Sequence, residues 1–191
     1  MNKLERSDIL GSEQYSRERE KLRAQIIELR RLRRVEVGKN LSFTFENRET
    51  VKYQIQEMMR VEHITEEAKI QHEIDVYNDL VPDPGTLSAT MFIEIPDPEE
   101  IRSTLDSMQG LDRPQTVYLQ VGEEKSYAEF EAGHSREDRI SAVHYVKFRL
   151  TAQQIKNFQQ ATVKLVVAHP SYQSSTELNA DQKRVLAADL A

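Results

Sequence analysis

The sequence predicts an α+β fold, in which a helical N-terminal part precedes a mixed, mainly antiparallel sheet with helices on one side. Two patterns support this prediction. Apolar residues recur at helical spacing in three segments of residues 13–80, and alternation of apolar and polar residues dominates later in the chain. Because Pro82, Pro84 and Gly85 punctuate the chain between these patterns, we expect one domain, 1–191, subdivided into a helical part with one strand, 1–82, and a layered α/β part, 83–191.

Composition excludes several classes of protein. The 191 residues include no cysteine, which rules out disulfides, thiolate metal sites and cysteine nucleophiles. No apolar run approaches the length of a membrane span, and the first residues lack the apolar core of a secretory signal. Motifs for phosphate-binding loops, dinucleotides and serine hydrolases are also missing. We therefore expect a cytoplasmic protein that does not contact membranes and carries no cofactor.

Charge is distributed unevenly. Residues 1–50 carry a net charge of +3, whereas the remainder carries −9. The acidic whole argues against a protein that coats nucleic acid. However, a basic stripe follows the predicted first helix, 13–34, and it could bind a phosphate or an acidic partner, or simply satisfy the last carbonyls of the helix. The stripe consists of Arg19, Arg23, Arg30 and Arg34. This amphipathic helix is also compatible with a homodimer.

Local signals place the other elements. Residues 41–46 alternate as in a half-buried strand, and Asn47 and Thr65 are N-cap residues for helices over 48–63 and 66–80. Further strands are predicted at 89–95, 116–121, 126–130, 140–150 and 163–168, short helices after Asp97, Thr151 and Asn179, and a charged loop at 133–139. The order strand–helix–strand occurs twice in this part, which predicts two β-α-β units.

Glu62 is the most informative carboxylate. The apolar face of the second helix, which includes Val51, Ile55 and Met59, reaches Glu62 when it is continued by one turn. A carboxylate there is either exposed at the helix end or buried, and burial without a partner would cost several kcal/mol. A buried Glu62 would therefore mark a binding site or a structural ion-pair network.

Several polar residues cluster around this helix pair. An antiparallel arrangement of the helices would bring Glu62 and Glu73 onto neighbouring surfaces, close to His63. Carboxylates and imidazoles on paired helices can bind iron or manganese, but the Glu-x-x-His spacing of such sites is missing from both helices. His144 lies on the apolar face of its strand, as a core residue or as a base tuned by a carboxylate. The candidate binding residues are Glu46, Asn47, Glu57, Arg60, Glu62, Glu73, Tyr77 and His144.

Three segments in order carry a resemblance to a known family. They are Phe45-Glu46-Asn47-x-x-Thr50, Gln54-Ile55-Gln56-Glu57-Met58-Met59-Arg60-x-Glu62 and Tyr77-Asn78-x-Leu80-x-Pro82. Because these segments occur together and in this order, the chain resembles the bacterial domain-of-unknown-function family numbered 3501, over nearly its whole length. The resemblance implies a bacterial, cytosolic protein encoded near rubrerythrin-like proteins and iron–sulfur subunits of oxidoreductases.

These observations lead to one expected function and two alternatives. We expect an accessory or binding protein that serves a redox system through a protein partner and has no redox cofactor of its own. A metal-dependent enzyme with Glu62, Glu73 and a histidine, either His63 or His144, is the first alternative. Nucleic-acid or phosphate binding through the arginine stripe is the second. Whether the chain catalyses a reaction stays open.

Overall fold

The computed structural model describes residues 2–133 and 140–190 and confirms the α+β class. The predicted charged loop lies mostly outside these residues. Helices in the described part are α1 Ser12–Arg33, α2 Arg48–Val61, α3 Glu67–Tyr77, α4 Ile101–Ser107, α5 Ala152–Asn157 and α6 Ala180–Asp189. Strands are β1 Arg34–Val37, β2 Leu41–Glu46, β3 Thr86–Ile93, β4 Val117–Val121, β5 Glu124–Phe130, β6 Val143–Arg149, β7 Val163–His169 and β8 Tyr172–Glu177. No helix in this part of the chain is long and apolar enough to cross a membrane.

Capping chemistry explains where several helices begin. The side chain of Asn47 accepts hydrogen bonds from the backbone N–H groups of Glu49 and Thr50, as its predicted N-cap role requires. Thr151 and Asn179 form reciprocal capping boxes at the starts of α5 and α6. The predicted cap at residue 65 is wrong by one position, because Glu66 precedes α3 without a capping side chain.

The strands form one antiparallel sheet in the order β1-β2-β3-β6-β5-β4-β7-β8. Strands on both sides of residue 82 belong to it, since β2 pairs with β3. The predicted β-α-β units are wrong, because neither β3 and β4 nor β6 and β7 are neighbours. A six-residue helix such as α5 is about 9 Å long and a seven-residue strand about 23 Å, so α5 reverses the chain without returning it along the strand.

The sheet curls until its first and last strands almost meet. The Tyr172 hydroxyl donates a hydrogen bond of 2.7 Å to the carbonyl oxygen of Val37 and accepts one of 2.9 Å from the backbone N–H of Asn40. Gly38, between these two residues, has φ of +70°, and a Cβ there would clash with the same hydroxyl. Glycine is therefore required where β8 approaches the β1–β2 turn. The result is a nearly closed barrel.

Two apolar cores lie on opposite sides of the curved sheet. Inward-facing residues of the strands fill the barrel, and Leu186 of α6 and Leu190, which follows that helix, pack into the same core. Outside, α1, α2 and α3 cover part of the barrel. A second core lies here, formed by α2, α3 and the segments before α1 and after α3; it consists of Leu4, Ile9, Val51, Ile55, Met59, Ile70, Ile74, Leu80 and Val81. A cleft between α1, α2 and the sheet lies on this outer, helix-covered side.

A buried ion pair joins α1 to α6. The guanidinium of Arg33 donates hydrogen bonds of 2.6 and 3.0 Å to the two carboxylate oxygens of Asp189. Their side chains are only 4% and 5% exposed. Because this pair is bidentate and buried, it fixes the C-terminal end of α1 against the last helix.

Candidate functional site

A cleft of about 760 Å³ lies between α1, α2 and the outer face of β2, β3 and β6. The outward-facing residues of β2 and β3 form part of its lining, and α1 and α2 contribute side chains above them. The lining includes six side chains from these elements: Arg30, Thr44, Glu46, Tyr53, Thr90 and Tyr145. These six comprise one acidic, one basic, two threonine and two tyrosine side chains, and the lining also includes Glu57, Arg31 and Arg34, so it is suited to a polar ligand with an apolar portion.

Glu46 supplies the buried charge of the cleft. It is the last residue of β2 and is only 3% exposed, because its outward-facing side chain is covered by the helices. One carboxylate oxygen accepts a 2.7 Å hydrogen bond from the Thr90 hydroxyl, and the other accepts a 2.5 Å bond from the Thr50 hydroxyl. No basic side chain in the described segments forms an ion pair with Glu46. Neutral donors alone therefore hold this carboxylate.

Arg30 supplies an uncompensated positive charge. Its guanidinium carbon lies 5.9 Å from the centroid of the Tyr53 ring, within the range of a cation–π contact. Its Nε is buried and has no hydrogen-bond acceptor, and the guanidinium forms no ion pair within residues 2–133 and 140–190. In contrast, the neighbouring Arg31 pairs with Glu28, and Arg34 pairs with Glu94.

Glu57 forms a structural network at the edge of the cleft. It accepts hydrogen bonds of 2.7 and 2.9 Å from Arg19 of α1, and others from Tyr15 and Arg60. Above all, the Arg19 hydrogen bonds lower the pKa of Glu57 to about 2, and bonds from Arg60 and Tyr15 act in the same direction. Burial and the bond to Glu57 raise the pKa of Tyr15. Glu57 is therefore ionised, and its ion pair with Arg19 links α2 to α1.

Two partly buried tyrosines lie on the outer side of the sheet. They are Tyr145 of β6 and Tyr77 of α3, and both pack against the second apolar core. Burial is the main cause that raises the pKa of each tyrosine, so both hydroxyls stay neutral near pH 7. Gln54 and Tyr145 line the cleft, whereas Tyr77 lies behind them.

The structure brings only some of the predicted site residues together. Glu46 and Glu57 line the cleft, and Arg60 supports Glu57 from a partly exposed position. Asn47 is occupied as the N-cap of α2. His144 lies inside the barrel, where its Nε2 is 2.9 Å from the carbonyl oxygen of Ser141, so it is a core residue away from the cleft.

Glu62 and Glu73 lie elsewhere. Glu62 is the exposed C-cap of α2, so the structure supports exposure at the helix end over a buried carboxylate. Glu73 is partly exposed on α3. Glu62, Glu73 and His63 do not form a metal-binding group, and no set of three or more acidic or histidine side chains in the described chain does so.

Sequence reasoning did not identify Thr44, Thr90, Tyr53 and Tyr145 as site residues. The threonines occupy the polar positions of alternating strands, where solvent exposure is the usual expectation. A signal was present, since β2 ends in a carboxylate that follows two small polar residues on the same face. Arg30 was noticed only as a member of the basic stripe, from which the structure separates it by pairing Arg19 and Arg34 with carboxylates.

Comparisons with known proteins agree on a family. The family described as "Protein of unknown function (DUF3501)" matches residues 3–190. A crystal structure at 1.90 Å resolution of a novel protein of unknown function from Burkholderia pseudomallei K96243 is similar over 100% of both chains, with 32% sequence identity and a TM-score of 0.92. No curated protein matches the chain significantly. Together, the family match and the structural similarity confirm the resemblance seen in the sequence, and the chain belongs to the DUF3501 family.

Proposed function

We propose that this chain is a binding protein whose ligand occupies the cleft between α1, α2 and the outer face of the sheet. The observation that carries the proposal is the buried carboxylate of Glu46, which lines a cleft large enough for a small molecule and has no basic partner in the described residues. An unpaired buried charge is costly for folding alone. A bound ligand that donates hydrogen bonds to Glu46 would remove that cost.

A comparison of bound small molecules tests this proposal. Wild-type protein and the Glu46→Gln variant are purified from the same cells without denaturant, and the compounds released by denaturation are measured by mass spectrometry. We expect a compound released in near-stoichiometric amount from the wild type and depleted from the variant. Glu123→Gln, which changes an exposed carboxylate in the β4–β5 turn, is the matched control. Identical profiles for wild type and Glu46→Gln would contradict the proposal.

We also propose a cellular setting, in which the protein serves a bacterial redox system in the cytoplasm. This setting is supported by the gene neighbourhood that the family resemblance implies. Gentle copurification with the tagged protein tests it, and we expect rubrerythrin-like or iron–sulfur proteins to be enriched over an unrelated tagged protein. Recovery of no redox protein would contradict this setting and leave the cleft as a binding site.

A further inference from the structure

Two uncompensated groups of opposite charge line the same cleft. Glu46 projects from β2 with only hydroxyl donors, and Arg30 projects from α1 with only an aromatic ring beside it. They do not pair with each other, and in the described part of the chain neither has another ionic partner. The site therefore offers one negative and one positive anchor that are held apart.

The hydrogen-bonding positions that remain unused on Glu46 and Arg30 indicate which ligand atoms would bind there. Each Glu46 oxygen accepts one hydroxyl hydrogen bond, and a carboxylate oxygen can accept two, so the group can still receive the N–H donors of an ammonium ion. The Arg30 guanidinium is a planar fork of donors that fits a carboxylate. Ile27, Phe92 and Val143 add apolar surface to the cleft. This surface suits a hydrocarbon segment between the two charged ends.

On the basis of the proposed function, we infer that the ligand is a zwitterion, with an ammonium group at Glu46 and a carboxylate at Arg30. A simple anion would meet the buried charge of Glu46, and a simple amine would leave Arg30 unpaired. The neighbouring arginines do not disturb this balance, because Arg31 and Arg34 already pair with carboxylates. A neutral pair of anchors thus selects a ligand with no net charge.

A homologous series of ω-amino acids tests the inference. The probes run from glycine to 8-aminooctanoate, each compared with the n-alkylamine and the n-alkanoate of equal length, and binding is measured by isothermal titration calorimetry. We expect a limited range of lengths to bind and the singly charged analogues to bind at least about tenfold more weakly. Glu46→Gln and Arg30→Gln should each weaken binding of the best zwitterion by a similar factor.

Control variants and distinct outcomes show whether a negative result counts against the zwitterion or against the cleft as a binding site. Glu123→Gln and Arg23→Gln change exposed residues outside the cleft and should bind as the wild type does. If Glu46→Gln fails to fold, Arg30→Gln on the partly exposed face of α1 still decides the question. An amine that binds as tightly as the zwitterion and ignores Arg30→Gln would overturn the inference while the cleft remains a binding site. No binding by any probe up to about 10 mM would also overturn it, whereas the released-compound comparison decides the proposed function.

Discussion

The ion pair between Arg33 and Asp189 allows a quantitative test of how α1 is held. Replacing only one partner, as in Arg33→Met or Asp189→Leu, leaves the other charged group buried without compensation. Since both side chains are about 95% buried and form two hydrogen bonds, we expect each variant to lose about 3–5 kcal/mol of unfolding free energy. The double variant R33M/D189L removes both charges and should recover most of that loss.

Urea denaturation followed by circular dichroism measures these changes. With a slope of about 2 kcal/mol per M, a loss of 4 kcal/mol moves the midpoint by about 2 M. Arg184→Met is the matched control, because Arg184 forms an exposed pair with Asp181 on the same helix and should change the free energy by less than about 1 kcal/mol. A loss below about 1 kcal/mol in both single variants, or a double variant as unstable as the sum of the two, would refute the reasoning.

Three further predictions concern acid stability, chain geometry and the buried carboxylate. Because the pKa of Glu57 falls from an ordinary 4.5 to about 2 on folding, its ionised form stabilises the fold above pH 4.5, and about 1–3 kcal/mol should be lost as pH decreases from 4.5 to 2. Urea titrations across this range should show the loss in the wild type and a smaller one in Glu57→Gln. Gly38→Ala places a methyl group against the Tyr172 hydroxyl at a positive φ and should cost about 1–2 kcal/mol, which lowers the melting temperature of a chain of this size by about 2–8 °C; an unchanged temperature by calorimetry would contradict this geometry. Thr90→Val removes one of two donors to Glu46 and should cost about 1–3 kcal/mol in urea, while Thr90→Ser, which keeps the hydroxyl, should cost less; equal losses would show that the hydrogen bond is unimportant.

The strand patterns predicted the barrel core better than the cleft. Alternation correctly placed Phe43, Phe45 and His144 on inward-facing sides. The same alternation predicted that Thr44 and Glu46 would face solvent, yet all six residues of β2 are buried. Which helix covers which sheet face depends on contacts between distant segments, and a local period carries no information about them.

The helical pattern of α2 left the burial of Glu62 open for a different reason. Continuing the apolar face of α2 to Glu62 assumes helical geometry at that position, but α2 ends at Val61 and Glu62 is its C-cap. A projection that is valid within a helix loses meaning one residue beyond its end. By contrast, Asn47 was identified correctly because its capping bonds involve residues only two and three positions away.

The near contact between β1 and β8 has a consequence for biosynthesis. Tyr172 follows Val37 by 135 residues, so at translation rates of about 5–20 residues per second the outer edge of β1 waits about 7–27 s for its neighbour to emerge from the ribosome. During that interval the nascent chain presents an open strand edge, which can pair with other chains.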